Sequence, residues 1–207
     1  MYCSFYKHFK DKGEVFMARK KTITREHILS AVFEVISTEG FSGFTARNIA
    51  NKMKTSTQPI YLEFKNMDEL RNVFIDQVTA GLRNEVYNQS YTDDCIVDLI
   101  VNYVKFASEN SVFYKALFVD NHDSGTKLNK FTRNLFYDKI NQDDVYAKLS
   151  DEVKEAIFTN CWVMSVGLSS LAASNRAKPT VEEIEVIIKN VIEMSKKHPK
   201  VSLTKLK

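Results

Sequence analysis

Phe44-Thr45-Ala46-Arg47-Asn48-Ile49-Ala50-Asn51-Lys52-Met53-Lys54-Thr55-Ser56-Thr57-Gln58-Pro59-Ile60-Tyr61-Leu62-Glu63-Phe64-Lys65-Asn66 is where this 207-residue chain first declares its architecture. Thr45 is placed to cap a short helix whose Ile49, Ala50 and Met53 form one inward stripe, with Arg47 and Asn48 facing away. That helix stops near Lys54. A second short helix is predicted from about Ser56 to Lys65, with Ile60 and Phe64 one turn apart as anchors and Thr57, Gln58, Tyr61 and Lys65 opposite them. Two short helices joined by a tight turn have the dimensions of a helix-turn-helix. No acidic residue stands among the four outward positions, and their side chains can donate to phosphate or reach base edges. A solvated face of an ordinary three-helix bundle carries the same pattern, so composition alone leaves the two readings level.

On the N-terminal side, Ile28, Ala31, Val32, Val35 and Ile36 recur at three and four residues, which predicts an amphipathic helix from Thr24, its cap, to Glu39. Gly40 ends it by taking a left-handed conformation, and Phe41-Ser42-Gly43-Phe44 makes a short turn with two core-type aromatics. Residues 1–17 show no helical period. They are read as an extension without defined structure or as sequence ahead of a start at Met17, because the codons permitted by Lys12-Gly13-Glu14-Val15 include a purine-rich string resembling a ribosome-binding site. Between Met17 and Asn66, eight basic residues face four acidic ones, whereas from Met67 onward eighteen face twenty. The small overall charge of +3 is therefore concentrated at the helix-turn-helix end, with Lys20 and Lys21 placed as a basic arm.

On the C-terminal side, Asn66-Met67-Asp68-Glu69 reads as a capping box opening a helix with the stripe Leu70, Val73, Phe74, Val78, Leu82 and Val86. Helical periods follow at about 94–109, 112–120, 128–141, 151–174 and 180–196, and Asn121-His122-Asp123-Ser124-Gly125 is the clearest loop. Domains are accordingly drawn at 18–66 and 67–198, with 199–207 as a tail. Aromatics are dense between Phe106 and Tyr137. Phe106, Phe113, Tyr114, Phe118, Phe131, Phe136 and Tyr137, with Trp162 and Met164 farther on, are candidate walls of a ligand cavity, although aromatics at helical spacing more often only fill a core. The 151–174 helix is apolar nearly all round, and the last helix carries Val181, Ile184, Ile187, Ile188, Val191 and Ile192, a stripe too wide for one small domain to bury.

The run from Phe44 to Ala50 and from Ser56 to Leu70 resembles the DNA-binding signature of tetracycline-repressor (TetR) family regulators, and the match extends from Thr24 to Leu70 without a gap. The resemblance implies an all-α chain, with a three-helix DNA-binding domain followed by a helical ligand-binding and dimerisation domain. It places Thr45 and Arg47 on phosphate, Ser56, Thr57, Gln58 and Pro59 at the head of the recognition helix, and Tyr61 and Lys65 on the backbone. It also makes the Met67 helix the connector through which a small-molecule effector changes the spacing of two reading heads. A homodimer pairing the last two helices, with Leu168, Leu171, Ile184, Ile188 and Val191 at the interface, would present two recognition helices to a palindromic double-stranded DNA site. Repression is the family's usual mode. Two positions depart from the pattern: Lys54 stands where glycine is usual, and Met67 where a phosphate-contacting lysine is common. Pro59 disfavours helix at the preceding residue, which shifts the expected start toward Gln58.

Other classes find little support. His8, His27, His122 and His198 have no metal-ligand spacing, and neither a nucleophile motif nor a phosphate-binding glycine loop occurs, so neither enzyme activity nor a cofactor or metal is expected. Cys3, Cys95 and Cys161 are odd in number and far apart, which argues for a reducing cytoplasm. No apolar run reaches the roughly 20 residues of a membrane span, and no membrane partner is expected. The alternative from another class is a helical small-molecule-binding or adaptor protein without sequence-specific DNA binding.

Overall fold

Threonine, asparagine, aspartate and serine caps set most helix starts in the computed structural model, which describes residues 23–120 and 125–200. Among these residues there are nine α-helices and no strand: α1 Arg25–Glu39, α2 Ala46–Lys52, α3 Gln58–Glu63, α4 Met67–Gly81, α5 Cys95–Glu109, α6 Ser111–Phe118, α7 Gly125–Gln142, α8 Asp151–Ala173 and α9 Val181–Lys197. The all-α expectation therefore holds. Expectations about residues 1–17, the Lys20-Lys21 arm, positions 121–124 and the tail beyond 200 fall outside the described residues.

The chain forms two compact units, and their limits are not those drawn from the sequence. The first runs through Glu85 and takes in Val112–Gly125; the second comprises Val86–Ser111 and the chain from Thr126 onward. In the first, Thr24 caps α1 through a capping box in which its hydroxyl accepts from the His27 N–H and His27 Nδ1 accepts from the Thr24 N–H. Helix α1 buries Ile28, Val32, Val35 and Ile36 completely. Gly40, at φ 68°, closes α1 by donating its N–H to the Ile36 carbonyl at 3.0 Å. Gly43 is required by proximity: a Cβ there would lie 2.6 Å from the Glu39 Cβ. Phe113 of α6 packs tilted on Phe33 at 4.8 Å and edge-on to Phe74 of α4 at 6.4 Å. Helix α4 does not run on as the stripe suggested, since Leu82–Val86 widens into a π-turn, a change of ring size that apolar spacing does not encode.

In the second unit α8 is central, packed along α5 and α9. Asp94 caps α5 by accepting from the Ile96 and Val97 N–H groups, and its other oxygen accepts the Tyr146 hydroxyl at 2.6 Å. Asp98, buried, accepts the N–H groups of Tyr91 and Thr92 and the Thr92 hydroxyl, which satisfies its charge and fixes the preceding loop. Helix α7 starts at Gly125, which was expected in the loop, because its first turn is polar and shows no apolar period. Helix α8, Asp151–Ala173, is long and apolar enough to cross a membrane by length and composition, a test that a buried core helix also meets. Thr159, Ser165, Ser169 and Ser170 break its apolar run without making it polar, and Ile157, Phe158, Cys161 and Leu168 are buried in this unit's core.

Candidate nucleic-acid interface

The interface begins with two anchors. Ile60 and Phe64 are 0% and 1% exposed, and they fix α3 against the first unit's core. With that face committed, Gln58, Tyr61 and Lys65 are exposed and Thr57 is half-buried. Tyr61 leaves 52% of its surface to solvent and Leu62 leaves 76%, a large exposure for apolar side chains on a six-residue helix. Ser56 is also exposed, and Pro59 is half-buried inside the first turn. Helix α3 is shorter than the predicted Ser56–Lys65 at both ends. It starts at Gln58 even though Pro59 disfavours helix at the residue before it, with Thr57 already at φ −76° and ψ −12°, and at the other end Phe64 turns extended to reach the core.

Thr45 caps α2, its hydroxyl accepting from the Asn48 N–H at 3.2 Å. Arg47 projects from the first turn of α2, exposed. Asn48 has a different task from the outward one expected. Its side-chain amide donates to the Gly43 carbonyl at 3.1 Å and to Glu39 Oε2 at 3.2 Å, bracing α2 on the end of α1. Between α2 and α3, Lys54 has φ 54°, the left-handed geometry expected at a position where glycine is usual. The Lys54 N–H donates to the Asn51 carbonyl and the Thr55 N–H to the Ala50 carbonyl, the paired bonds of a Schellman turn. The lysine therefore accepts strain of about 1 kcal/mol or more to keep the turn.

Sequence reasoning missed Arg25. Its guanidinium lies 4.2 Å from the centre of the Phe64 ring, donates to the Glu63 carbonyl at 3.1 Å and approaches Glu69 at 3.7 Å. It joins the start of α1 to the last carbonyls of α3, where a cation also meets the negative end of the helix. The signal was only a basic residue next to a capping threonine. The α4 cap differs by one position from the predicted box: Asn66 accepts from the Glu69 N–H at 2.8 Å, and Glu69 accepts the N–H of Lys65, not that of Asn66.

The proposed ligand-cavity residues do not converge. A partly open pocket in the second unit is walled by Tyr87, Tyr103, Phe136, Phe158 and Trp162, which includes two of the expected residues, Phe136 and Trp162. Phe113, Tyr114 and Phe118 belong instead to the first unit, where Phe113 packs on Phe33 and Phe74 and Tyr114 lies against Phe118. Phe106 is buried but is not in the cavity wall, and Met164 lines an open groove with Val163, Val191 and Met194. The expected dimer residues also divide. Leu171 is 43% exposed and Val191 half-buried, whereas Ile184 and Ile188, at 1% and 0%, are in the chain's own core beside Ile157 and Cys161. Leu168 sits at the edge of that core. Of the residues assigned to a partner, Ile184 and Ile188 are thus covered internally, while Leu171 is outward together with Val163, Met164, Val186 and Met194.

Residues 28–73 match the family described as "Bacterial regulatory proteins, tetR family". A solved structure of a TetR family protein from Vibrio parahaemolyticus, described as a transcriptional regulator, is similar at TM-score 0.58 and 18% identity, covering 82% of this chain and 97% of that chain. At that identity the likeness is one of fold. No curated protein matches the chain.

Proposed function

We infer that this chain, whose residues 28–73 belong to the tetR family of bacterial regulatory proteins, is a DNA-binding transcriptional regulator that acts in the cytoplasm as a ligand-responsive homodimeric repressor on a palindromic operator. One observation carries the reading: two buried anchors hold a short helix that leaves Gln58 and Tyr61 exposed, with Lys65 just past its end and Arg47 on α2 exposed as well. Thr57 and Gln58 would read base edges, with Ser56 and Pro59 shaping the approach, while Thr45, Arg47, Tyr61 and Lys65 would hold phosphates. The three helices from Arg25 to Glu63 are then the reading head, and the chain from Met67 onward is the regulatory part.

Dimerisation is supported by the exposed apolar residues of α8 and α9, which a second copy would cover by two-fold pairing. The same pairing gives α8's outer face a partner without invoking a membrane. The aromatic-walled cavity of the second unit supports an effector site. No catalytic role is proposed. Footprinting of the protein on DNA upstream of its own coding sequence tests the assignment. Two protected half-sites about one helical turn apart, with two chains per site, are expected. Protection of a single unrepeated site by one chain would contradict the dimeric reading.

A further inference from the structure

We propose that the cavity of the second unit takes a small, uncharged, single-ring molecule, bound mainly through its apolar body, with a ligand O–H or N–H able to donate to Thr132 or Ser165; the proposal rests on reading this cavity as the effector site. None of the described residues lining the cavity is charged, and five of them are aromatic. Two aliphatic hydroxyls of the wall are already partly used, beside Tyr87, Tyr103 and Trp162, which also carry polar hydrogens. The Thr132 hydroxyl donates to the Leu128 carbonyl at 3.1 Å, and the Ser165 hydroxyl donates to the Trp162 carbonyl at 2.8 Å. Each is left with lone pairs only, so each can accept from a ligand O–H or N–H and cannot donate to a carboxylate or phosphate.

A charge that adjoins this wall is also committed. Arg133, next to Thr132, makes a two-pronged pair with Glu155, which further accepts the Tyr137 hydroxyl at 2.7 Å. The Arg133 guanidinium covers the outer side of Phe158, 4.9 Å from a ring that lines the cavity. An anionic ligand would have to take Arg133 from Glu155 and leave that carboxylate unpaired, and a cationic ligand would find no counter-charge in the wall. Either ion would enter a nearly apolar pocket uncompensated.

Size sets the second limit. The cavity measures about 40 Å³. That is room for a few waters and well below the roughly 150 Å³ that accepts benzene. A ring therefore enters by moving a wall, and Trp162, half-buried while the other four aromatics are buried, is the one with space to move. Trp162 is also the chain's single tryptophan, so its emission reports on this cavity alone.

The experiment titrates the full chain at neutral pH with toluene, 4-methylphenol, 4-methylbenzoate and 4-methylbenzylammonium, following Trp162 emission under excitation selective for tryptophan. Toluene and 4-methylphenol are expected to change the emission saturably, with both ions at least about tenfold weaker. Thr132→Val or Ser165→Ala is expected to bring 4-methylphenol down several-fold toward toluene while toluene binding is unchanged. Preferred binding of 4-methylbenzoate that disappears in Arg133→Gln would overturn the proposal, and so would the absence of a saturable response to any of the four. 4-Methylphenol affinity unchanged from the parent in both variants would overturn the hydrogen-bond assignment. Neutral rings that saturate Trp162 without altering DNA affinity would leave the ligand class standing and contradict ligand response instead.

Discussion

The Arg25 guanidinium rests 4.2 Å above the ring of Phe64, joining the first turn of α1 to the residue that anchors the end of α3. Through the Glu63 carbonyl it also fixes the orientation of the helix that presents Gln58 and Tyr61. Arg25→Ala is expected to lower stability by about 1–2 kcal/mol, from a lost cation–π contact and a lost charged hydrogen bond. DNA affinity should fall equally for specific and random duplexes, since Arg25 positions the helix and does not itself read bases. Chemical denaturation and binding titrations check the two parts separately.

Outward residues on and just past α3 should divide by role. Tyr61→Ala and Lys65→Ala are expected to weaken binding across all sequences, with a shallower salt dependence for Lys65→Ala. Gln58→Ala should relax the choice at one or two base pairs at about 1–3 kcal/mol of discrimination. Binding measured on a panel of single-base operator variants distinguishes these patterns. Equal losses on specific and random DNA for Gln58→Ala would remove its assigned role.

Lys54 offers a test of turn strain. Its φ of 54° suits glycine, so Lys54→Gly should stabilise the protein by about 0.5 kcal/mol, after the added freedom of glycine in the unfolded chain offsets part of the relief. Lys54→Val should destabilise, because a β-branched side chain resists that geometry. Thermal melts of the two variants are expected to move in opposite directions.

The Arg133–Glu155 pair gives a pH dependence of known sign. Hydrogen bonding from Arg133, and then from Tyr137, holds the Glu155 carboxyl below its ordinary range. A depressed carboxyl stabilises the fold fully above its unfolded value and loses that contribution as pH falls through the folded one. The pair is about two-fifths exposed, so Glu155→Gln should cost less than about 1 kcal/mol near neutrality. The difference from the parent should vanish in acid, as read from urea midpoints across the acidic limb.

Burial, reinforced by the neighbouring Asp143, pushes the Cys95 thiol up to about 12, and burial does the same for Cys161. In a Cys3→Ser background both thiols should react slowly with a disulfide reagent at about pH 8 and rapidly once the chain is unfolded, because the thiolate is the reacting form. Fast reaction of either in the folded state would contradict the packing described around α5 and α8.

Much of the first unit was legible because its signals are local. Thr24, Thr45 and Asn66 each cap the helix predicted to follow, and Ile60 with Phe64 form the anchored side of α3. What stayed hidden depends on partners distant in sequence. Phe113 has the same helical spacing whether it walls a cavity or packs on Phe33, and only the fold decides. On α9 two apolar stripes compete, and periodicity does not say that Ile184 and Ile188 face the chain's own core while Val186 and Met194 remain outside. Arg25 was overlooked because its partners, Glu63 and Phe64, lie about forty residues away.

The most direct measurement is equilibrium binding of the intact protein to the duplex upstream of its own coding sequence, against a random duplex of equal length, across a series of salt concentrations. A preference of at least about a thousandfold for the upstream duplex is expected at moderate salt, with affinity falling steeply as salt rises. Equal affinity for both duplexes would contradict it and would leave the chain a helical ligand-binding or adaptor protein.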